Sequence, residues 1–484
     1  MSESSDNAVL TSLPLGEDTL DQHPETVLVP AYDRSALTPA VVHVGVGGFH
    51  RAHQAVYFDE LARRGVTDWG VVGIGMHRPQ LGEVLRRQDN LFTVVERGSE
   101  ESSARVVGAM MDYLLLSEQR DAVRNRLIDP QTRLVTLTIT GDGYTVPDSA
   151  EAASDSIFSL LVEALDARRK AGVAPFTVLS CDNVPDSGEV AKHAVLACVG
   201  SENPELASWI EAEVAFPGGM VDRITPSTSP EERDRIEQEF HVADQWPVIT
   251  EAFAQWVIED RFCNGRPALE EVGVRFVDDV APYKLIKSRL LNGSHCALGY
   301  LGSLAGYERS DEAMADPAIA AFIESLMRTE VAPLLPADIP GMALDEYCSS
   351  LLDRFANAAI GDQLFRLAGR GSTKMPDYVL PSLFEARAKH SPSALLTLVV
   401  AAWLRYLRGV DLTGKRFNFK DARADELRAL AERGDGDPRP LLALNDIFDG
   451  LAADEEFAAE VQRLMSMIDD QGISATIDSV LHHQ

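Results

Sequence analysis

The 484-residue chain contains no apolar run long enough to cross a bilayer. The longest, ALLTLVVAAWL from Ala394, falls well short of the roughly 20 residues a spanning helix needs and is expected to be a buried helix. The opening MSESSDNAVLTSLPLGEDTLDQ lacks the cationic start and apolar centre of a secretory signal. It reads as a flexible lead-in to a soluble, cytoplasmic protein. Cysteine is sparse: five, at 181, 198, 263, 296 and 348, odd in number and with no close pair. That pattern suits neither a disulfide framework nor a structural zinc site, so reduced core thiols are expected and no metal. Basic residues are outnumbered 44 to 75, for a net charge of −31. Such a charge repels polyanions and argues against nucleic-acid or anionic-membrane binding as the main role. Internal repeats and low-complexity tracts are missing, which removes solenoid folds.

What is present is a globular composition, 45% hydrophobic and 25% charged, at a length that suggests roughly two to four domains. The first half alternates strand-like and helix-like segments. AVVHVGV at 40–46 is β-rich, RAHQAVYFDELARRG from Arg51 is an amphipathic helix, and DWGVVGIGM from Asp68 is a second buried strand. This βαβ rhythm predicts a parallel sheet. LFTVVER from Leu91, RLVTLTIT from Arg133 and FTVLSCDNV from Phe176 add strand candidates, and SIFSLLVEALDARRKAG is a helix with Gly172 as its C-cap. After about residue 280 the pattern becomes helical, as in LIKSRLLNGSHCALGYLGSLAGY, AIAAFIESLMRTEVAPLL and EEFAAEVQRLMSMI. The expected architecture is α/β: a Rossmann-like N-terminal domain with an extended sheet over residues 1–280, and a mostly α-helical C-terminal domain over 281–484. Whether the apolar helix faces of the second domain are core or interface is open, so the oligomeric state is too, a monomer being compatible.

Three segments carry candidate chemistry. In HVGVGGFHRAH, His43 to His53, a strand runs into Gly45, Gly47 and Gly48 and then a helix, the setting in which backbone N–H groups cradle a pyrophosphate. The position of the third fingerprint glycine holds His50, so the stretch reads equally as a plain glycine turn. In YKLIKSRLLNGSH, a regular helix would place Lys287, Asn292 and His295 within roughly 140° of one another. An amine, an amide and an imidazole on one face suit hydride transfer from an alcohol. A lysine with lowered pKa takes the hydroxyl proton, the amide steadies the developing alkoxide and the imidazole orients a hydroxyl. Arginine cannot serve as that base, and lysine is scarce beside arginine here, yet Lys284 and Lys287 sit three apart. The alternative is two solvated surface lysines. In SCDNVPDSG, Asp182 and Asn183 follow a strand, where they either face a ligand crevice or form an Asx turn.

Together GVGGFHRAHQA, SCDNV, MVDRITP, FCNGRPALEEVGVRF and KSRLLNGSH resemble the polyol-specific long-chain dehydrogenases, in order from about Val42 to about Asp437. The resemblance implies metal-independent, NAD(P)-dependent oxidation of a sugar alcohol, D-mannitol to D-fructose, with polyol and nicotinamide meeting in a cleft between the two domains. It implies Lys287 as general base, Asn183 and Asn292 as the oxyanion-stabilising pair, and His295, Asp222, Arg366 and Lys374 as residues that hold or orient the polyol. Gly45, Gly47, Gly48, Phe49 and His50 fall on the family's cofactor-binding turn.

Two departures stand out. Lys284 occupies a position, three before the base, where relatives often have an acid. After the second strand, GMHRPQ offers Arg78 where an NAD site would place a carboxylate; the family implies NAD, and Arg78 keeps NADP as an alternative. Other substrates, fructuronate, D-arabinitol or sorbitol, and a non-catalytic dinucleotide-binding regulator are the competing readings.

Overall fold

A computed structural model describes residues 12–145, 156–200 and 203–482. The chain divides into two compact units, Met1–Ala281 and Pro282–Gln484.

In the first unit, β1 (Val41–Val44) leads through a glycine turn into the short helix α1 (Gly48–Ala52) and then α2 (Gln54–Arg63). β2 (Val71–Gly75) is followed by α3 (Pro79–Arg87), and β3 (Met110–Leu115), β4 (Leu134–Leu137), α4 (Ile157–Ala171) and β5 (Thr177–Ser180) complete the set. The strands form one parallel sheet in the order β3-β2-β1-β4-β5, a Rossmann-type order with its switch point between β1 and β4. Every residue of β1, β2, β4 and β5 is buried, which is why these strands read as apolar runs rather than alternations. Val42, Val44, Val72, Ile74, Val135 and Leu137 pack with Phe158, Leu161 and Leu165 of α4, while Val41, Val71 and Leu134 pack with Tyr57, Phe58 and Leu61 of α2 on the opposite face. Gly172 closes α4 with φ 68°, as its sequence predicts.

The structure departs from the sequence reading in three places. The single helix expected from Arg51 is broken at His53, whose φ −121° and ψ −86° are not helical. Extension beyond the five strands comes as separate sheets. Phe92–Arg97 pairs antiparallel with Ser102–Val107, in a sheet with Val248–Glu251 and Val27–Leu28, because a short turn can join only antiparallel neighbours. Gly219–Asp222, Gln255–Glu259 and Arg275–Val277 make a further three-stranded sheet. The expected lead-in lies outside the described residues up to residue 11. Beyond that it is docked, with Leu13–Pro14 pairing with Val242–Ala243 and Leu15 buried.

The second unit is helical. A helical turn α5 (Ala281–Ile286) passes into a π-helical segment, Lys287–Asn292, and on into α6 (Gly293–Ala305). The short helices α7 (Leu364–Ala368) and α8 (Gly371–Lys374) follow, and the apolar α9 (Ala394–Tyr406) packs against α6 and α10 (Glu455–Gln471). All residues from Leu395 to Tyr406 are buried, and among the described residues no helix is long and apolar enough to cross a membrane. The five cysteines are free thiols; Cys181, Cys296 and Cys348 are buried, and Cys198 and Cys263 half-buried.

Glycine sets the approach of α7 to α6. A Cβ on Gly299 would lie 2.8 Å from the Ala368 backbone nitrogen, and one on Gly302 would lie 2.7 Å from Leu364 Cδ1. Gly299→Ala therefore forces the two helices apart. Urea denaturation is expected to show a loss of about 1–3 kcal/mol, and an unchanged midpoint would contradict this packing.

Candidate active site

The first unit presents its candidate residues at the C-terminal ends of the parallel strands, the ligand side of such a sheet. Gly45 turns the chain out of β1 with φ 95°, and a Cβ there would fall onto the carbonyl oxygen of Thr138, just past β4. The Thr138 hydroxyl donates to the Gly45 carbonyl at 2.8 Å and stands 2.9 Å from His43 Nε2, while His43 Nδ1 is 2.8 Å from the Thr136 hydroxyl. Arg51, buried on α1, donates from Nε to the Gly47 carbonyl at 3.3 Å and from its guanidinium to the Trp246 carbonyl. Burial lowers its pKa to about 10.

Gly47 differs from Gly45. Its φ of −128° suits any residue, and a Cβ there would meet only the Gly45 carbonyl at 3.7 Å. The protein's own packing leaves space above Gly47, and close approach of a ligand to the backbone is what a glycine there permits. Gly48 likewise has only ordinary contacts around it. These features fit a dinucleotide pyrophosphate held by the turn.

His50 is the exception among the turn residues. Its ring has no exposed surface and stacks on His43 with centroids 3.3 Å apart and planes 10° off parallel. The stack ties α1 to β1. Burial, then the charges of His43, Arg51 and His53, holds His50 well below its ordinary pKa, and burial lowers His43 to about 3. Both rings are neutral at physiological pH. Phe49 is half-buried and stacks on His53 at 5.1 Å, and Arg78 is exposed at the N-cap of α3.

At the end of β5, Asp182 accepts from the Ile139 and Thr140 backbone N–H groups, both at 2.9 Å, and from the Tyr144 hydroxyl at 2.8 Å. Burial raises its pKa despite those bonds. Of the Asp182–Asn183 pair, the first clamps the loop after β4 and the second is exposed beyond it. Asp222 is buried at the end of Gly219–Asp222. The adjacent Arg223 is buried too, donating to the Glu251 carbonyl at 3.1 Å and to Glu96 at 2.7 Å.

In the second unit the lysine segment takes a geometry that regular α-helical spacing misses. A π turn closes over five residues rather than four, so Lys287 and Asn292, at either end of the π segment, stand about one turn apart on the same side. His295 follows one α turn further, half-buried, with its ring 4.8 Å from that of Phe355. Lys287 is 8% exposed. Gly293 lets the Tyr378 carbonyl approach, 3.2 Å from where its Cβ would lie. Arg366, exposed on α7, is held by a two-pronged ion pair with Asp362, its Nε donating at 2.7 Å. Lys374 Nζ donates to the last-turn carbonyls of α7, Leu367 at 2.8 Å and Arg366 at 3.3 Å, and burial lowers its pKa. It is thereby a cap for α7 as well as a candidate ligand group. The π–α6 stretch and the α7–α8 pair thus gather five candidates in one unit.

Sequence reasoning passed over Thr138, Arg51 and His43. Thr136 and Thr138, two apart in an otherwise apolar strand, were the available signal, since polar groups at that spacing share one face of a strand and need partners.

The fold and turn define the first unit as a Rossmann-type nucleotide-binding domain, here followed by a helical unit. Residues 39–271 match the family model of the mannitol dehydrogenase Rossmann domain, and residues 279–469 that of the mannitol dehydrogenase C-terminal domain. A mannitol 2-dehydrogenase of Aspergillus fumigatus is 41% identical over 94% of this chain and 96% of its own length. The Pseudomonas fluorescens mannitol 2-dehydrogenase, solved as a ternary complex with NAD and D-mannitol, superposes with a TM-score of 0.88. It is 40% identical, with 98% of this chain and 100% of that one covered. A D-sorbitol dehydrogenase in substrate-free form matches with TM-score 0.88 at 34% identity, over 96% of this chain and all of the other. The chain belongs to the mannitol dehydrogenase family.

The two glycines separate folding from binding. Gly45→Ala is expected to cost roughly 1–3 kcal/mol through its positive φ and the Thr138 clash. Gly47→Ala is expected to stay within about 0.5 kcal/mol of the parent while weakening dinucleotide binding about tenfold. Melting curves paired with calorimetric titration check this, and a Gly47→Ala protein that binds as the parent does would show that the turn carries no ligand.

Proposed function

We propose that the chain is a polyol dehydrogenase that interconverts D-mannitol and D-fructose with NAD(H). The observation that supports it most is the near-full-length similarity to a mannitol 2-dehydrogenase whose structure holds NAD and D-mannitol, joined to the Lys287, Asn292 and His295 set on one π–α face. Gly45, Gly47 and Gly48 hold the pyrophosphate, with Arg51 fixing the turn. When bound, the nicotinamide accepts the hydride released from the secondary carbon.

The remaining work falls to the chain's own residues. Lys287 Nζ, on a side chain only 8% exposed, takes the proton of the reacting hydroxyl. Asn292 and Asn183 donate amide N–H groups to the oxygen as negative charge develops on it. His295 orients the reacting hydroxyl, and Asp222, Arg366 and Lys374 hold the rest of the polyol. In the reverse direction the Lys287 ammonium returns its proton to the oxygen of the reduced ketone. No step in this scheme is assigned to a metal.

Similarity to a D-sorbitol dehydrogenase supports a second substrate, so assays with D-mannitol, D-sorbitol, D-arabinitol and fructuronate are run side by side. The D-mannitol and D-fructose pair is expected to give the highest kcat/KM. Lys287→Ala is expected to lower kcat by roughly 10²- to 10⁴-fold with partial rescue by added primary amines, and Lys287→Arg to show neither activity nor rescue. Fructose reduction by Lys287→Ala at the parent rate would end the assignment of the base.

A further inference from the structure

Past the end of β2 the chain reads Met76, His77, Arg78, and α3 begins at Pro79. That strand end lies beside the turn of β1, where a dinucleotide's adenosine ribose is held; an NAD site sets a carboxylate there, and an arginine accommodates a 2′-phosphate. Residues 76–82 include no acid. The first that follows, Glu83, lies 3.7 Å from Arg87.

Gly82 and Arg86 are spaced four apart on one face of α3, and Arg78 is the N-cap four residues before Gly82. The middle position has no side chain, and a Cβ there would lie 2.5 Å from Tyr113 Cε1 and 3.3 Å from Arg86 Nη1. The Tyr113 ring therefore floors the gap beside Arg86, and its hydroxyl donates to the Arg78 carbonyl at 3.4 Å. Both guanidiniums are exposed, and among the described residues neither has an ion-pair or hydrogen-bond partner. The charges of Arg86, Arg51 and Arg78 all act on the Tyr113 hydroxyl. In a chain of net charge −31, where most guanidiniums meet a carboxylate, Asp244 acts on the buried Arg51 but Arg78 and Arg86 have no carboxylate partner among the described residues, and an anion between them would supply one.

We infer that Arg78 and Arg86 bind the 2′-phosphate of NADP(H), so that this chain uses the phosphorylated dinucleotide at least as well as NAD(H). The inference rests on the reading of the glycine turn as a dinucleotide site. The test is calorimetric titration of the full chain with adenosine 2′,5′-bisphosphate and with 5′-AMP, alongside fructose reduction with NADPH and NADH. The bisphosphate is expected to bind about tenfold more tightly than 5′-AMP, and the NADPH-to-NADH ratio of kcat/KM to be at least about one. In the Arg78→Ala, Arg86→Ala double variant the binding advantage should vanish and the kinetic ratio fall about thirtyfold. Equal binding of the two nucleotides by the parent, or an advantage that survives the double variant, overturns the inference. Selective bisphosphate binding without turnover of any ketose supports it while removing the polyol reading; binding of neither nucleotide overturns both.

Discussion

Among the described glycines of the first unit, the closest approach to another segment's backbone is between two strand ends. Gly45 leaves β1 with a positive φ and the Thr138 carbonyl takes the space its side chain would fill. The switch point of the sheet lies between these strands, so the turn that can hold a ligand is also a place where two backbone segments pack closely. Polar side chains then fix the surrounding loops. The Thr138 hydroxyl bonds back to Gly45, His43 bridges toward Thr136 and Thr138, Arg51 holds Gly47, and Asp182 holds Ile139 and Thr140 one strand further along. Each is a side chain satisfying backbone or hydroxyl groups that the ends of parallel strands leave without ladder partners. A pre-formed turn spares a bound nucleotide the cost of ordering it.

The second unit solves a related problem with helices. Three of its candidate residues, Lys287, Asn292 and His295, come from an uninterrupted helical stretch, where five residues of α spacing would set Asn292 roughly 140° from Lys287. Local widening to a π turn brings both to one side and leaves α6 in regular geometry for His295. Glycines at 293, 299 and 302 then allow the Tyr378 carbonyl and α7 to close in around the same stretch, and the Lys374 cap ties α7 to α8. The cost of π geometry is a poorer backbone hydrogen-bond pattern, tolerated where packing over-determines it.

How much of this was legible in the sequence follows from what periodicity records. β1, β2, β4 and β5 were readable because burial on both faces leaves an unbroken apolar run, and α4 because Gly172 ends it. The antiparallel sheet around Phe92–Arg97 was not, since a run of six residues carries no mark of its partner. The π turn is invisible to hydrophobic spacing, because one inserted residue still leaves apolar positions three and four apart. Lys287, Asn292 and His295 were grouped from α spacing, a geometry the chain does not adopt over Lys287–Asn292. The Arg366–Asp362 ion pair was not readable as a helical pair, because Asp362 lies before the helix that carries Arg366. Lys374 was not readable as a helix cap, because its carbonyl partners lie on a separate helix.

His50 shows why a missing glycine is not a defect here. In the familiar fingerprint the third glycine removes a side chain so that the helix can lie close to the first strand. In this chain α1 is five residues long and ends at His53, so only one turn must approach β1. A flat ring on the helix laid against a flat ring on the strand, 3.3 Å between centroids, reaches that closeness without removing either side chain. The arrangement holds only while both imidazoles are uncharged. Protonating one would place a cation against its neighbour, with Arg51 nearby and burial withholding water, and the depressed pKa values of both rings express that cost. The same stack that replaces the glycine therefore keeps His50 out of acid–base chemistry near neutral pH.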